Sequence, residues 1–239
     1  MRMVRLAALI ALSALACSVP LTGTAQDNKE APPPRAGTQP VPPAPVYKPP
    51  PRGAPGGRVG GSTRGTGREI FVLSVLAPDH TGLTIQEQPS LYWFISSTTS
   101  APVELTITDP GTTRPLLEIS TPAPITPGLH RLRLADHGVR LAAGTTYRWF
   151  AAVVPDPARR SRDILAGGAI ERVDVSPELA AKLAKAGASE RPALYAEAGI
   201  WYDALAALSE MIDSEPGNSA LRKQRAALLA QVGLPELPD

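Results

Sequence analysis

The chain has 239 residues, 43% of them hydrophobic, a formal net charge of +2 and a single cysteine. That length holds one or two domains with a real core. The near-balanced charge gives no support to a nucleic-acid or membrane-surface partner, and one cysteine excludes an internal disulfide or a multi-thiolate metal site.

Arg2 and Arg5 precede an unbroken run of apolar or small residues from Leu6 to Ala16. Pro20 interrupts the run, and Gly23-Thr24-Ala25 supplies small residues where a signal peptidase cuts. The run falls short of the roughly 20 residues that span a bilayer. Residues 1–25 are therefore expected to be a cleaved export signal, leaving a periplasmic or secreted chain with no transmembrane segment. A second reading makes Cys17 a lipidated N-terminus, because Ala14-Leu15-Ala16-Cys17 loosely resembles a lipobox. Ala14 stands where such motifs carry Leu, and Val19-Pro20-Leu21 prolongs the apolar stretch past the cysteine; lipidation is the less favoured of the two. Loss of Arg2 and Arg5 leaves 22 basic against 22 acidic side chains.

Residues 26–67 hold eleven prolines and eight glycines with almost nothing apolar to bury. Ordering costs about 1–2 kcal/mol per residue, which such a composition does not offset. The expectation is a disordered or polyproline-like basic linker, stiff in its proline half and flexible in its glycine half. Gly57-Arg58-Val59-Gly60-Gly61-Ser62-Thr63-Arg64-Gly65 suggests a phosphate loop, but a proline tract precedes it, no Lys is present and a β-rich run follows. Arg58 and Arg64 are the arm's candidate interaction residues, with a plain spacer as the alternative.

From 68 to 175 the pattern is all-β. Short runs at Ile70–Leu76, Leu91–Ile95, Val103–Thr108, Leu116–Ile119, His130–Leu134, Tyr147–Val154 and Ala169–Val175 are separated by Pro- and Gly-rich turns. Several alternate with period two, which puts one face on a core and one in water. Leu141-Ala142-Ala143-Gly144-Thr145-Thr146-Tyr147-Arg148-Trp149 resembles the corner entering strand F of fibronectin-III and immunoglobulin-like sandwiches. There a Tyr hydroxyl bonds back to the preceding backbone. The expected fold is thus an antiparallel β-sandwich of that type, with Tyr147, Trp149 and Trp93 structural. Tyr147 to Val154 is apolar on both faces and should be a central strand.

Residues 176–235 read as helices. Ser176-Pro177-Glu178 combines a cap, Pro at the first helical position and an acid at the positive helix end. Further helices are expected between Ser189 and Gly199, from Trp201 to Ser214 and from Ser219 to Val232. Tyr195, Gly199, Trp201, Ala204, Leu208 and Pro216 fall at the offsets of one tetratricopeptide unit, Ala204 allowing close approach and Leu208 filling between helices. Arg191-Pro192 departs from that repeat's Leu-Gly pair. One unit is too short for a solenoid, so this tail must pack on the β body or on a partner. Trp201 and Tyr202 are its candidate interaction residues, and Trp201 with Tyr195 is also expected to fill the hairpin or the seam with the sandwich.

Pro51-Arg52-Gly53-Ala54-Pro55, Gly60-Gly61-Ser62-Thr63-Arg64-Gly65, Trp93-Phe94, Ile170-Glu171-Arg172-Val173 and Tyr195-Ala196-Glu197-Ala198-Gly199-Ile200-Trp201-Tyr202-Asp203-Ala204-Leu205 resemble a bacterial family defined only as domain of unknown function nine-two-eight. The resemblance implies an exported bacterial protein and brings no activity or catalytic residues with it. It also raises the interest of the Gly-rich arm as more than a spacer.

His80, His130 and His137 are the only histidines, and none has a second ligand at metal-binding spacing. No Gly-x-Ser-x-Gly elbow is present, and Glu171 beside Arg172 reads as an edge ion pair. No catalytic residue, metal or cofactor is assigned. Three tryptophans raise glycan binding, although large aromatics in apolar runs are mostly core. The expectation is a non-enzymatic, exported interaction or structural component of the cell envelope with protein partners. A ligand- or glycan-binding β-sandwich is the alternative and a secreted hydrolase the distant third.

Overall fold

A computed structural model describes residues 43–51, 58–64, 70–234 and 237. The expected signal segment lies outside them, as does much of the arm. Among the described residues nine strands are followed by four α-helices: β1 Gly61–Arg64, β2 Ile70–Val75, β3 Gly82–Thr84, β4 Ser90–Ile95, β5 Val103–Thr108, β6 Leu117–Thr121, β7 Gly128–Arg133, β8 Thr146–Val153, β9 Ile164–Arg172, α1 Pro177–Lys185, α2 Arg191–Glu197, α3 Trp201–Ser214 and α4 Ser219–Ala230. One sheet has the order β1-β2-β4-β7 and the other β3-β9-β8-β5-β6.

The alternation in β5 appears as strict alternation of buried and half-buried positions. β8 is the middle strand of its sheet, with β9 on one side and β5 on the other. Its two apolar faces follow from that place, since a central strand has covered surface on both sides. Leu73, Val75 and Leu91 from the first sheet join Ile107, Trp149 and Ile170 from the second in one buried cluster. After Val75 the chain leaves the first sheet at Leu76-Ala77-Pro78 and enters the second at β3, which runs parallel to β9. Pro78 has no N–H for a ladder and so ends the first pairing.

The arm departs from expectation. Val59 exchanges two backbone hydrogen bonds of 2.8 Å with Gly167 of β9, and β1 then pairs with β2 from Gly61↔Leu73 to Arg64↔Ile70. Residues 58–64 therefore cross from one sheet to the other, and the β body begins before residue 68. Residues 43–51 are also seated on the folded body. Tyr47 is buried with its ring edge-on to Trp201, the centroids 5.0 Å apart. The linker expected over 26–67 is thus corrected for these two stretches. One large aromatic and a stiff proline backbone lower the net cost of ordering.

Helix bounds follow the expected signals closely. The Ser176 hydroxyl accepts from the Leu179 N–H at 3.2 Å, and Pro177 opens α1. Asn218 caps α4 by accepting from Ala220 and Leu221. Gly199, with φ +75°, turns the chain from α2 into α3. Ala204, Leu205 and Leu208 of α3 are fully buried. The helices pack on the sheets through the start of α3, where the Trp201 indole donates to the Leu76 carbonyl at 2.9 Å.

Candidate functional site

Residues 43–51 lie along the helices as an extended strap, gripped mainly through its backbone. The Gln231 side chain grips it from both sides: its Nε2 donates to the Pro45 carbonyl and its Oε1 accepts from the Tyr47 N–H, each at 2.8 Å. The Lys48 N–H donates to the Ala196 carbonyl at 3.0 Å, and Lys48 Nζ meets Glu197 at 2.9 Å. Prolines donate no backbone hydrogen bond, so the grip falls on the few groups the strap can offer. Beside the strap, Pro43 and Pro45 border an open groove of about 490 Å³ whose other wall is Pro192, Ala193 and Leu194, with Lys182 and Lys185 also lining it.

The strap also meets the β body. The Tyr47 hydroxyl shares a 2.9 Å hydrogen bond with His80 Nε2, and His80 Nδ1 lies 3.0 Å from Asp79 Oδ1. This trio resembles a proton relay in outline. Burial, followed by the nearby Asp79 charge, raises the Tyr47 phenol well above its ordinary value. A phenol held protonated is a hydrogen-bonding group and not an activated nucleophile. The geometry latches the strap to the turn between β2 and β3.

Arg58 stands next to this latch. Its guanidinium donates to the carbonyls of Ala77, Val232 and Gly233 at 3.1, 3.0 and 3.1 Å. Within the fold it joins the end of α4 to the β body, while its side chain stays half-exposed. Arg64 ends β1, paired through its backbone with Ile70, and its side chain is outside the described residues.

Trp201 and Tyr202 require a second correction, being 0% and 1% exposed. The Tyr202 hydroxyl donates to the Ala169 carbonyl at 2.9 Å and lies 2.9 Å from Trp149 Nε1, whose N–H it accepts. Two aromatic rings at the head of α3 thus form the seam, and no partner reaches them. Trp93 is buried and stacks on His130, with centroids 4.2 Å apart. With Trp149 at 0% exposure as well, none of the three tryptophans offers a platform for a sugar ring. The Tyr147 hydroxyl accepts from the Ala142 N–H at 3.1 Å. Arg172 reaches Glu87 at 3.2 Å, and Glu171 accepts from the Thr146 hydroxyl.

One ionisable residue at the seam carries no distinguishing signal in the sequence. Asp203, in the first turn of α3, is 5% exposed; its Oδ2 accepts from the Ile85 N–H at 3.3 Å. Its Oδ1 has no hydrogen-bond partner among the described residues. Burial pushes the carboxyl up to about 6, against opposing help from Thr84, Gln86 and the Ile85 N–H. An acid in a first turn reads as an ordinary dipole partner, so only its buried position distinguishes it.

A carboxyl raised in the folded state stabilises the fold fully below its unfolded value near 3.8 and loses that contribution as pH rises through about 6. Urea melts of Asp203→Asn and of the native chain should therefore diverge with pH. The variant should gain up to about 3 kcal/mol relative to the native chain between pH 4 and pH 7.5. A difference that does not move with pH would contradict the assignment.

Among the described residues no group of three His, Asp, Glu or Cys is placed to hold a metal ion, and no helix is long and apolar enough to cross a membrane. A comparison with curated proteins finds no match. A family model described as Domain of Unknown Function (DUF928) matches residues 59–239. That span starts at the Val59 crossover and takes in both sheets and the four helices of the described residues, leaving residues 1–58, the strap and Arg58 among them, outside. The chain belongs to the DUF928 family.

Proposed function

We propose that this chain is an exported, non-catalytic interaction component of the bacterial cell envelope, whose helical tail takes up extended, proline-bearing segments of partner proteins. The observation that carries the reading is the strap: the tail already holds such a segment, by backbone bonds from Gln231 and Ala196. The apolar groove beside it offers the same kind of surface to a second segment. Proline-rich peptides suit such grooves because their extended backbone is preformed and loses little entropy on docking.

In the same reading the sheets form an immunoglobulin- or fibronectin-III-type sandwich. The strand orders, the parallel β3–β9 pair and the Tyr147 corner bond support it. The spacing of Tyr195, Gly199, Ala204 and Leu208 supports a tetratricopeptide-like hairpin. Export rests on the composition of residues 1–25.

A photo-crosslinker in place of Ala193, which is exposed on the groove wall, should label a peptide of the sequence of residues 42–51. A counterpart with its prolines replaced by alanine should not be labelled. Equal labelling of both, or labelling of neither, would overturn the docking reading. Export is tested separately by mass spectrometry of the native protein, which should begin at Gln26. A retained leader or a diacylglyceryl group on Cys17 would contradict that part.

A further inference from the structure

A second cleft, of about 340 Å³, opens between the start of α3 and the β3–β4 connection. Its lining brings together Asp203, Tyr195, Glu210, Gln86, Arg133 and Arg191. The Asp203 carboxylate is almost fully buried, with Oδ1 unpartnered among the described residues. A buried polar atom without a partner costs about 1–3 kcal/mol; Oδ1 has almost no accessible surface, so a ligand donor recovers that cost only with a small outward shift of the side chains that cover it. Arg133 and Arg191 are exposed, and neither guanidinium makes an ion pair or hydrogen bond among the described residues.

We propose that this cleft binds a small zwitterion, a free α-amino acid or a molecule ending in one, with its ammonium on Asp203 and its carboxylate on the arginines. A buried acceptor without a partner and two exposed, solvated guanidiniums without a protein partner, opposite in charge, line one cleft. A simple cation would leave the guanidiniums unanswered, and a simple anion would be repelled by Asp203 and Glu210. A zwitterion answers both. Guanidinium groups suit carboxylates through their paired donors, and an ammonium offers three donors to a carboxylate such as Asp203. The volume falls at the lower end of ligand pockets, which suits a molecule of amino-acid size. The Asp203 carboxyl, raised only to about 6, is ionised near neutral pH and ready for an ammonium. This site is separate from the strap groove and does not depend on what that groove holds.

Calorimetry on the full chain tests it, using the free L- and D-amino acids as probes together with their N-acetyl and methyl-ester forms. At least one free amino acid should bind with a Kd of about 1 mM or tighter. Its N-acetyl form, which lacks the ammonium, and its methyl ester, which lacks the carboxylate, should each bind at least about tenfold more weakly. Asp203→Asn and the exposed-site variant Arg191→Gln should both weaken binding by a similar factor, while Lys182→Gln, which alters the strap groove, should leave it unchanged. No binding by any free amino acid would overturn the proposal. So would equal binding of the blocked forms, or full affinity in Arg191→Gln.

Discussion

Replacing Trp201 with alanine should destabilise the protein by about 3–5 kcal/mol, the usual cost of emptying a large aromatic site. Trp201 is 0% exposed, packs edge-on against Tyr47 and donates its indole N–H to the Leu76 carbonyl. It is the point at which strap, helices and sheets meet. Its loss leaves a cavity and an unpaired buried carbonyl, both of which add to the cost. Urea melts measure the total. Limited proteolysis locates it, because cleavage should appear between β9 and α1 and around Gly187 while the sheets stay intact. A loss below about 1 kcal/mol, outside the range for such cavities, would show that the tail does not dock through this side chain.

Gly199→Val should also be strongly destabilising. Gly199 has φ +75°, where a β-branched side chain is strained by about 1–2 kcal/mol. A Cβ there would also lie 2.8 Å from the Lys48 carbonyl oxygen and 3.3 Å from Pro50 Cδ. Neither neighbour can swing aside as a flexible side chain would, since one is backbone and the other a proline ring. Overpacking of this kind costs a further 1–3 kcal/mol or so, for a total of roughly 2–5 kcal/mol. Part of that strain is relieved if the strap lifts away. The variant should therefore release residues 43–51 more readily than it unfolds the helices. Melts that match those of the native chain would contradict the close approach of strap and turn.

The elements legible in the sequence were those with strong periodicity or terminal chemistry. β5 was plain from Val103, Leu105 and Ile107 in alternation, and α3 from its apolar stripe between Gly199 and Pro216. β1 and β3 were not, because strands of four and three residues built from Gly, Ser, Thr and Arg or Gly, Leu and Thr carry no readable alternation. Their pairing comes from the sheets that flank them. The strap is hidden in the sequence for a related reason: one tyrosine among prolines looks unable to fold until Trp201 and His80 are placed beside it. The sequence leaves Trp201 and Tyr202 open to an interaction role because aromatics at a helix start can face either solvent or a neighbour. Only the packing of α3 on Leu76 and Ala169 decides between them. Asp203 stayed hidden because its chemistry depends on burial, and burial depends on the same docking.

The most direct test of the account is amide hydrogen exchange at Tyr47 and Lys48 in the full chain. Both amides are bonded to the helical tail, one to the Gln231 side chain and the other to the Ala196 carbonyl. If the tail holds the strap as an extended peptide, both should exchange at least about 100-fold more slowly than unprotected amides. That protection should collapse in Gly199→Val while the amides of α3 stay protected. Exchange of Tyr47 and Lys48 at the unprotected rate in the native chain would contradict the docked strap, and with it the interaction surface proposed for the tail.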